Sequence, residues 1–212
     1  MTTAWQERLA RGLATPASQR ERFLFRELNP TLDHTPILTK PVERPRPAAV
    51  LIGIRKTDEP SVVLTVRSPT MPSHAGQISL PGGTPREEGE DHVATALREA
   101  DEEVGLAADV LEVIGTMGPH HGGLGYVVTP VVALLDADAP VEACPREVSE
   151  AFEVPFAHLV EPKNHVVQER RFSGVPYNMF AVPVADTKGV ERNIWGLTAG
   201  ILSTLSEVYN DA

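Results

Sequence analysis

The segment Arg-Glu-Ala-Asp-Glu-Glu-Val-Gly-Leu spans residues 98–106, and it follows a Leu-Pro-Gly-Gly turn at residues 80–83. Residues three and four apart are neighbours on a helix, so Glu99, Glu102 and Glu103 would share an arc of about 100°. Like charges this close raise one another's pKa values unless a cation neutralises them. A hard divalent cation such as Mg²⁺ prefers oxygen ligands of this kind. The segment therefore predicts a helix that presents a carboxylate cluster to a metal ion.

An apolar stripe and two end signals define this helix. The stripe is about as wide as the acidic side, as a helix that packs on a core requires. Its members are Val93, Ala96, Leu97, Ala100 and Val104. Asp91 is a good N-cap residue, and Gly105 can adopt the left-handed conformation that ends a helix. On the charges alone a solvated acidic face would be the usual interpretation, but the diglycine turn, Arg98 and Gly105 favour the metal site.

Residues 83–106 resemble the Nudix box, whose pattern is G-x5-E-x7-R-E-U-x-E-E-x-G-U, with U a bulky apolar residue. The positions in register are Arg98, Glu99, Glu102, Glu103, Gly105 and Leu106. Ala100 fills the first U position with a small side chain. The leading glutamate of the pattern is Glu90, but the leading glycine then falls on Thr84, one residue after Gly83. The loop over residues 84–89 is therefore expected to carry an insertion.

The chain upstream of the box is similar to coenzyme A pyrophosphatases. Their signature, roughly L-L-T-x-R-S followed by R-x3-G-x3-F-P-G-G, is matched by residues 64–68 and 73–83. Leu80 replaces the phenylalanine, and Pro72 stands where the second arginine is expected. Residues 128–132, 147–155 and 195–199 also match that group. The resemblance extends over about residues 45–205.

This resemblance implies an α/β fold, the Nudix-type α/β/α sandwich with a mixed central sheet. It implies metal-dependent hydrolysis of a nucleoside-diphosphate-linked substrate, with Mg²⁺ or Mn²⁺ as the cofactor. The expected substrate is coenzyme A or an acyl-CoA, cut to 3′,5′-ADP and phosphopantetheine or its acyl form. Pro72 leaves open a Nudix diphosphatase that acts on ADP-ribose or nucleotide sugars, because arginine is the side chain that pairs bidentately with phosphate. A non-catalytic nucleotide-binding module is the alternative from another class.

The residues of the box are the first candidates for the site. Glu99 and Glu103 are predicted metal ligands, and Glu102 is predicted to bind a second metal ion or to accept a proton from water. The resemblance implies that Gly83 contributes a carbonyl oxygen, and glycine allows close approach of the backbone. Arg98 is predicted to pair with one of the glutamates and fix its rotamer.

Residues outside the box complete the candidate site. Arg67 ends a predicted strand beside the turn and could clamp a phosphate, or it could be a plain surface charge. His74 and Gly82 are candidates for substrate contact. Glu147 and Glu150 lie in a segment that often supplies a further carboxylate in Nudix enzymes, and the sequence does not choose between them. The stretch 118–125 is rich in glycine, so its two histidines are expected to be solvated loop residues, with substrate contact as the alternative.

Composition restricts the remaining possibilities. The net charge of −10 over 212 residues disfavours a general nucleic-acid binder, which usually carries a basic surface. Cys144 is the single cysteine and cannot form an internal disulfide, which is typical of a reducing compartment. No apolar run reaches transmembrane length, and the first ten residues lack the features of a signal peptide. A cytoplasmic enzyme with a small-molecule substrate and no membrane or nucleic-acid partner is expected.

The chain is expected to divide into an N-terminal helical segment with a connector, residues 1–45, and a Nudix domain, residues 46–212. Trp5, Leu9 and Leu13 have helical spacing, and the segment could either pack against the domain or form a homodimer contact. The Pro-rich stretch 29–47 is typical of an extended connector. Strands are predicted at residues 48–54, 62–67, 77–80, 110–117, 127–135, 165–172 and 178–182, with helices at residues 146–152 and 198–209.

Overall fold

The structure, a computed structural model, describes residues 2–32, 45–70, 75–122 and 125–212. Pro72, His74 and most of the predicted connector lie outside these described residues. The helices are α1 (Ala4–Leu13), α2 (Leu24–Leu28), α3 (His92–Val104), α4 (Phe156–Val160) and α5 (Gly196–Asn210). The strands are β1 (Arg46–Arg55), β2 (Ser61–Arg67), β3 (Ile78–Ser79), β4 (Gly82–Gly83), β5 (Leu111–Thr116), β6 (His120–His121), β7 (Tyr126–Leu135), β8 (Val148–Pro155), β9 (Val166–Phe172), β10 (Val175–Ala185) and β11 (Glu191–Trp195).

The main sheet is mixed, as predicted. Its strand order is β3-β2-β1-β7-β5, while β4 pairs with β1, β6 with β7 and β8 with β2. Strands β1 and β7 are parallel, with Ala49 opposite Thr129, and the other pairings are antiparallel. Strands β9, β10 and β11 form a separate antiparallel sheet.

Helices cover both faces of the main sheet, which confirms the α/β/α sandwich. Helix α3 packs its apolar stripe on one face, in a core that includes Ala49, Leu51, Val63, Ala96, Ala100, Val104, Val131 and Ala133. Helices α1, α4 and α5 pack on the opposite face, in a core that includes Leu9, Ile52, Ile54, Val132, Phe156, Leu202 and Leu205. Because apolar residues on the central strands point alternately to the two faces, both helical layers can bury side chains against one sheet.

Both ends of α3 form where the sequence places them. The Asp91 side chain accepts a hydrogen bond from the Ala94 N–H at 2.7 Å, which caps the first turn. Gly105 has a φ of 69°, and its N–H donates to the Asp101 carbonyl at 2.9 Å. These contacts define where the helix begins and ends, and so the turns from which Glu99 and Glu103 project.

The helix predicted at residues 146–152 is wrong. Residues 148–155 form β8, which pairs with β2 and places Phe152 opposite Leu64. In this strand Val148, Phe152 and Val154 are buried, while Ser149 and Glu150 are exposed. A spacing of two between buried residues is typical of a strand, and pairing with β2 outweighs the helical propensity of the glutamates. Strand β11 and helix α4 were not predicted.

The N-terminal helix packs within the molecule. Leu9 is fully buried, and the Trp5 ring lies 5.4 Å from the Phe156 ring. A Cβ atom at Gly12 would lie 2.1 Å from the Val208 carbonyl oxygen, so only glycine allows α1 to approach α5 this closely. Of the two interpretations of this segment, the structure shows packing against the domain.

The expectation of a solvated loop histidine is wrong for His120. This residue is fully buried in β6, where Nδ1 donates to the Gly118 carbonyl and Nε2 accepts from the Thr204 hydroxyl, both at 2.9 Å. Its neighbour His121 stacks on Phe23 with ring centroids 4.0 Å apart. Both histidines therefore hold the N-terminal segment and α5 in place.

Acidification is expected to destabilise the fold through His120. Burial lowers the pKa of this imidazole from 6.5 to about 4. As the pH falls from 6.5 to 4 the unfolded chain binds a proton that the folded chain does not, so stability is lost over that interval. The loss is up to about 3 kcal/mol.

Urea unfolding of the metal-free protein between pH 7.5 and 4.5 measures this effect. His120→Asn should flatten the decline in the free energy of unfolding, whereas His92→Asn, at an exposed position, should not. Equal pH dependence in the wild type and His120→Asn would contradict the assignment.

Candidate active site

Three carboxylates converge at the edge of the main sheet. Glu99 and Glu103 project from successive turns of α3, and Glu147 precedes β8. Each offers an oxygen, and these oxygens all lie within 4.8 Å of one another. The structure therefore brings together two glutamates of the helix and one of the two carboxylates predicted downstream.

The loop before β8 places Glu147 by its backbone hydrogen bonds. The Cys144 N–H donates to the carbonyl of Glu103 at 2.8 Å, which ties the loop to the last turn of α3. The Val148 N–H closes a turn on the Cys144 carbonyl at 2.9 Å, and the Ser68 N–H donates to the Glu147 carbonyl at 2.8 Å. The loop is thus fixed between α3 and the end of β2.

Glu103 is the buried member of the group, with 2% of its surface exposed. The Gly82 N–H donates to its Oε2 at 3.1 Å, and Nη1 of Arg67 lies 3.6 Å from its Oε1. Burial, with a smaller contribution from the charges of Glu99 and Glu147, raises the pKa of this carboxyl to about 7, although the Gly82 hydrogen bond and the Arg67 charge lower it. Such a group is stabilised in its charged form by a bound cation.

The diglycine turn lies directly against the cluster. Gly82 and Gly83 form β4, where Gly83 pairs with Ala49 of β1. A Cβ atom at Gly83 would lie 2.5 Å from Oε1 of Glu99, and one at Gly82 would lie 2.3 Å from the Ala49 carbonyl oxygen. At Gly82 the neighbouring atoms are backbone, so the turn needs glycine there, whereas a side chain at position 83 would displace the Glu99 carboxylate.

Arg98 ties the acidic side of α3 to the loop over residues 84–90. Its Nε donates to Glu90 at 2.8 Å, and its Nη1 donates to Glu99 at 2.9 Å and to Glu102 at 3.3 Å. Its Nη2 also donates to the Thr84 carbonyl at 3.0 Å. The Arg98 hydrogen bond holds the pKa of the Glu90 carboxyl down, to about 2. Arg98 therefore pairs with Glu99, and its role in fixing the rotamer of that glutamate stays a prediction.

The other predicted site residues are not part of the three-carboxylate cluster. Glu102 is held by Arg98 and by Arg86, whose Nη2 lies 2.7 Å from its Oε1. Glu150 binds Arg192 through both oxygens, at 2.9 and 2.5 Å, and does not belong to the converging group. His74 lies outside the described residues.

Two contributors were not predicted. The position of Glu90 at the start of the box was the available signal for its pairing with Arg98. No sequence signal places Arg86 at the cluster, because its position depends on the path of the loop between β4 and α3.

The donor set fits a hard divalent cation. All three converging groups offer carboxylate oxygens, which Mg²⁺ and Mn²⁺ accept. Glycine at position 83 leaves the Glu99 carboxylate in place beside the other two, since a Cβ atom there would lie 2.5 Å from its Oε1. The residues that would hold the ion are Glu99, Glu103 and Glu147.

Comparison with known proteins agrees with this geometry. The model of the NUDIX domain family matches residues 44–173. The protein is a Nudix hydrolase. It is 36% identical over 161 residues to the Nudix hydrolase NudL of Escherichia coli strain K12, covering 76% of this chain and 81% of that protein. It is 35% identical over 162 residues to NudL of Photorhabdus laumondii, covering 76% of this chain and 84% of that protein.

A solved structure shares the fold of this Nudix hydrolase. The MutT/nudix family protein from Enterococcus faecalis superposes with a TM-score of 0.51 at 15% identity, over 100% of this chain and 76% of that one. The family assignment makes the protein a hydrolase of pyrophosphate bonds, in a family that generally uses divalent metal ions. Across the described ranges, no helix is long and apolar enough to span a membrane.

Proposed function

We propose that the protein hydrolyses a nucleoside-diphosphate-linked substrate, with coenzyme A or an acyl-CoA preferred and Mg²⁺ or Mn²⁺ as the cofactor. The products would be 3′,5′-ADP and phosphopantetheine or its acyl form. The observation that carries the proposal is the group of three carboxylates, whose oxygens lie within 4.8 Å of one another. The preference for coenzyme A rests on the resemblance of residues 64–83 to the signature of coenzyme A pyrophosphatases.

The residues at the site would have three roles, which are metal binding, positioning of a ligand and acceptance of a proton. Glu99, Glu103 and Glu147 would hold the cation, which when bound polarises phosphoryl oxygens and lowers the pKa of water. Arg98 keeps Glu99 in its rotamer through the 2.9 Å hydrogen bond. Glu102 is the candidate proton acceptor, since 36% of its side chain is exposed. The water oxygen bonds to phosphorus, the bridging P–O bond breaks, and the leaving phosphate departs as an anion.

Arg67 is the proposed phosphate clamp. It lies at the end of β2, with Nη1 3.6 Å from Glu103. Its Nε is buried and has no hydrogen-bond partner among the described residues. A buried donor without a partner is costly, and a phosphate oxygen of the substrate would satisfy it. Gly82 and His74 are proposed as further substrate contacts.

A second candidate substrate class is ADP-ribose or a nucleotide sugar. The observation that favours it is Pro72, which replaces an arginine of the coenzyme A signature. Loss of one arginine would remove a bidentate phosphate contact and leave the carboxylate cluster unchanged.

A substrate panel separates the two. The protein is incubated with Mg²⁺ or Mn²⁺ and coenzyme A, acetyl-CoA, ADP-ribose or UDP-glucose, and the products are resolved by chromatography. We expect the highest kcat/KM for coenzyme A or its thioester, with release of 3′,5′-ADP. Cleavage of ADP-ribose without turnover of either coenzyme A compound would refute the preferred substrate.

We also infer a cytoplasmic location. Cys144 is free and half-buried, which agrees with a reducing compartment. A homodimer stays a prediction, as does the absence of nucleic-acid and membrane partners.

A further inference from the structure

Arg86 lies in the loop between β4 and α3, and its guanidinium contacts Glu102, which neighbours the carboxylate cluster on α3. Nη2 of Arg86 donates to Oε1 of Glu102 at 2.7 Å. The second oxygen of Glu102 accepts a hydrogen bond from Nη1 of Arg98 at 3.3 Å. Glu102 therefore keeps a cationic partner when Arg86 leaves it.

Arg86 differs from the other two arginines at the cluster in its exposure. Its side chain is 62% exposed, against 19% for Arg98 and 21% for Arg67. Arg98 is shared among three carboxylates, and Arg67 is turned toward the buried Glu103. An ion pair between solvent-exposed side chains contributes little to stability, so Arg86 can exchange its partner at low cost.

The backbone at Arg86 is held while its side chain is accessible. Its N–H donates to Oε2 of Glu90 at 2.6 Å, and Oε1 of Glu90 accepts from Nε of Arg98 at 2.8 Å. An open cleft of about 530 Å³ adjoins this loop. It is lined by Arg86, Glu87, Glu88, Gly89, Glu90 and Arg98. The guanidinium is thus presented from a fixed point beside a space that could admit a phosphate group.

The negative charge of the protein favours a further cation beside the substrate. The net charge is −10, and the site concentrates several carboxylates. A phosphate-bearing substrate is repelled by these groups unless a local cation offsets them. A guanidinium can bind two phosphate oxygens at once.

We propose that Arg86 is a substrate-binding residue that exchanges the carboxylate of Glu102 for phosphate oxygens of the substrate. The identity of the molecule that carries this phosphate rests on the proposed function. The exchange itself depends only on the contacts of Arg86 and Glu102.

Binding of inorganic pyrophosphate to the metal-free protein, in EDTA at low ionic strength, tests the exchange by isothermal titration calorimetry. Arg86→Gln should raise the Kd by about tenfold, since one charge-assisted contact is lost. The matched control is Arg171→Gln, which removes a similarly exposed arginine that pairs with Glu169 at 3.8 Å. Glu102→Gln should lower the Kd, because Arg86 no longer has a competing carboxylate.

The double variant Arg86→Gln/Glu102→Gln separates this exchange from a general charge effect. The gain from Glu102→Gln should disappear when Arg86 is absent. The proposal is overturned if the gain persists in the double variant, if Arg86→Gln binds like Arg171→Gln, or if neither the wild type nor Glu102→Gln binds pyrophosphate. None of these outcomes depends on which nucleotide the enzyme cleaves.

Steady-state kinetics with Mg²⁺ provide a second measurement, on whichever substrate of the panel is turned over. Loss of a phosphate contact in Arg86→Gln should mainly raise KM, while a purely structural role through Glu102 would lower kcat at unchanged KM. Arg86→Lys should have a KM between those of the wild type and Arg86→Gln. Lysine keeps the positive charge but lacks the planar guanidinium that binds two phosphate oxygens. A fall in kcat alone would contradict the proposal.

Discussion

Glu103→Gln is expected to lower kcat by more than the roughly 10–100-fold that loss of a side chain orienting a metal ligand typically costs. Glu103 is the buried carboxylate of the cluster, and it is the one held in place by both Gly82 and Arg67. An amide keeps the shape of the side chain but removes the negative charge that a divalent cation needs. Steady-state kinetics over a range of Mg²⁺ and Mn²⁺ concentrations measure the loss. A kcat near the wild-type value would exclude Glu103 as an essential ligand.

The same substitution should raise the Tm of the metal-free protein at pH 8. Burial raises the pKa of Glu103 from 4.5 to about 7. Between pH 4.5 and 7 this carboxyl is ionised in the unfolded chain and protonated in the folded chain, so the folded state loses stability as the pH rises. Above pH 7 the folded state carries the full free-energy cost of ionising the buried carboxyl. Glutamine does not ionise, so the variant avoids that cost at pH 8. The difference in Tm between the variant and the wild type should vanish near pH 4.

Thermal unfolding in EDTA at pH 8 and pH 4 tests this effect. Glu112→Gln is the matched control, because that side chain is 65% exposed in β5. A variant that is destabilised at pH 8 would mean that Glu103 is held by its ion pair rather than opposed by its burial. If the variant is more stable than the wild type but less active, its loss of activity is not caused by unfolding.

The second large effect is expected for Glu147→Gln, which should weaken Mn²⁺ binding by at least about tenfold. An oxygen of Glu147 lies within 4.8 Å of ligand atoms of Glu99 and Glu103, so it can complete a three-carboxylate set. Isothermal titration with Mn²⁺ measures the affinity directly, and kcat/KM at limiting metal should fall in parallel.

Glu150→Gln is the matched control for Glu147→Gln, because both residues belong to the same segment of the chain. Glu150 binds Arg192 at 2.9 and 2.5 Å, so its loss should affect stability and leave Mn²⁺ affinity unchanged. Equal Mn²⁺ affinities in the two variants, or a larger loss in Glu150→Gln, would contradict the assigned cluster.

Local signals were sufficient for the central helix. An N-cap at Asp91, an apolar stripe and a left-handed Gly105 are all encoded within a few residues of one another. The structure confirms both helix ends, and the packing of the stripe on the sheet fixes the direction of Glu99 and Glu103. This half of the site could be predicted because the helix ends, the apolar stripe and the spacing of the glutamates are all short-range features.

The choice between Glu147 and Glu150 could not be made from the sequence. On the helix predicted at residues 146–152, two residues three apart would share a face. Glu150 instead lies in β8, where side chains alternate, and Glu147 lies in the turn that precedes it. The pairing of β8 with β2 decides between them, and that pairing is a long-range contact.

Long-range contacts also explain the residues that the sequence misplaced or missed. His120 lies in a Gly-rich stretch, yet it is buried and forms a hydrogen bond with Thr204, 84 residues away. Arg86 reaches Glu102 across 16 residues, through a loop whose path depends on Glu90 and Arg98. Neither contact leaves a periodic pattern in the sequence.

The most direct test of the metal centre is an anomalous difference map from a crystal soaked in Mn²⁺. We expect a peak among the carboxylate oxygens of Glu99, Glu103 and Glu147, and no such peak in crystals of Glu103→Gln. A Mn²⁺ peak located elsewhere, with no density among these three side chains, would contradict the metal centre on which the account depends.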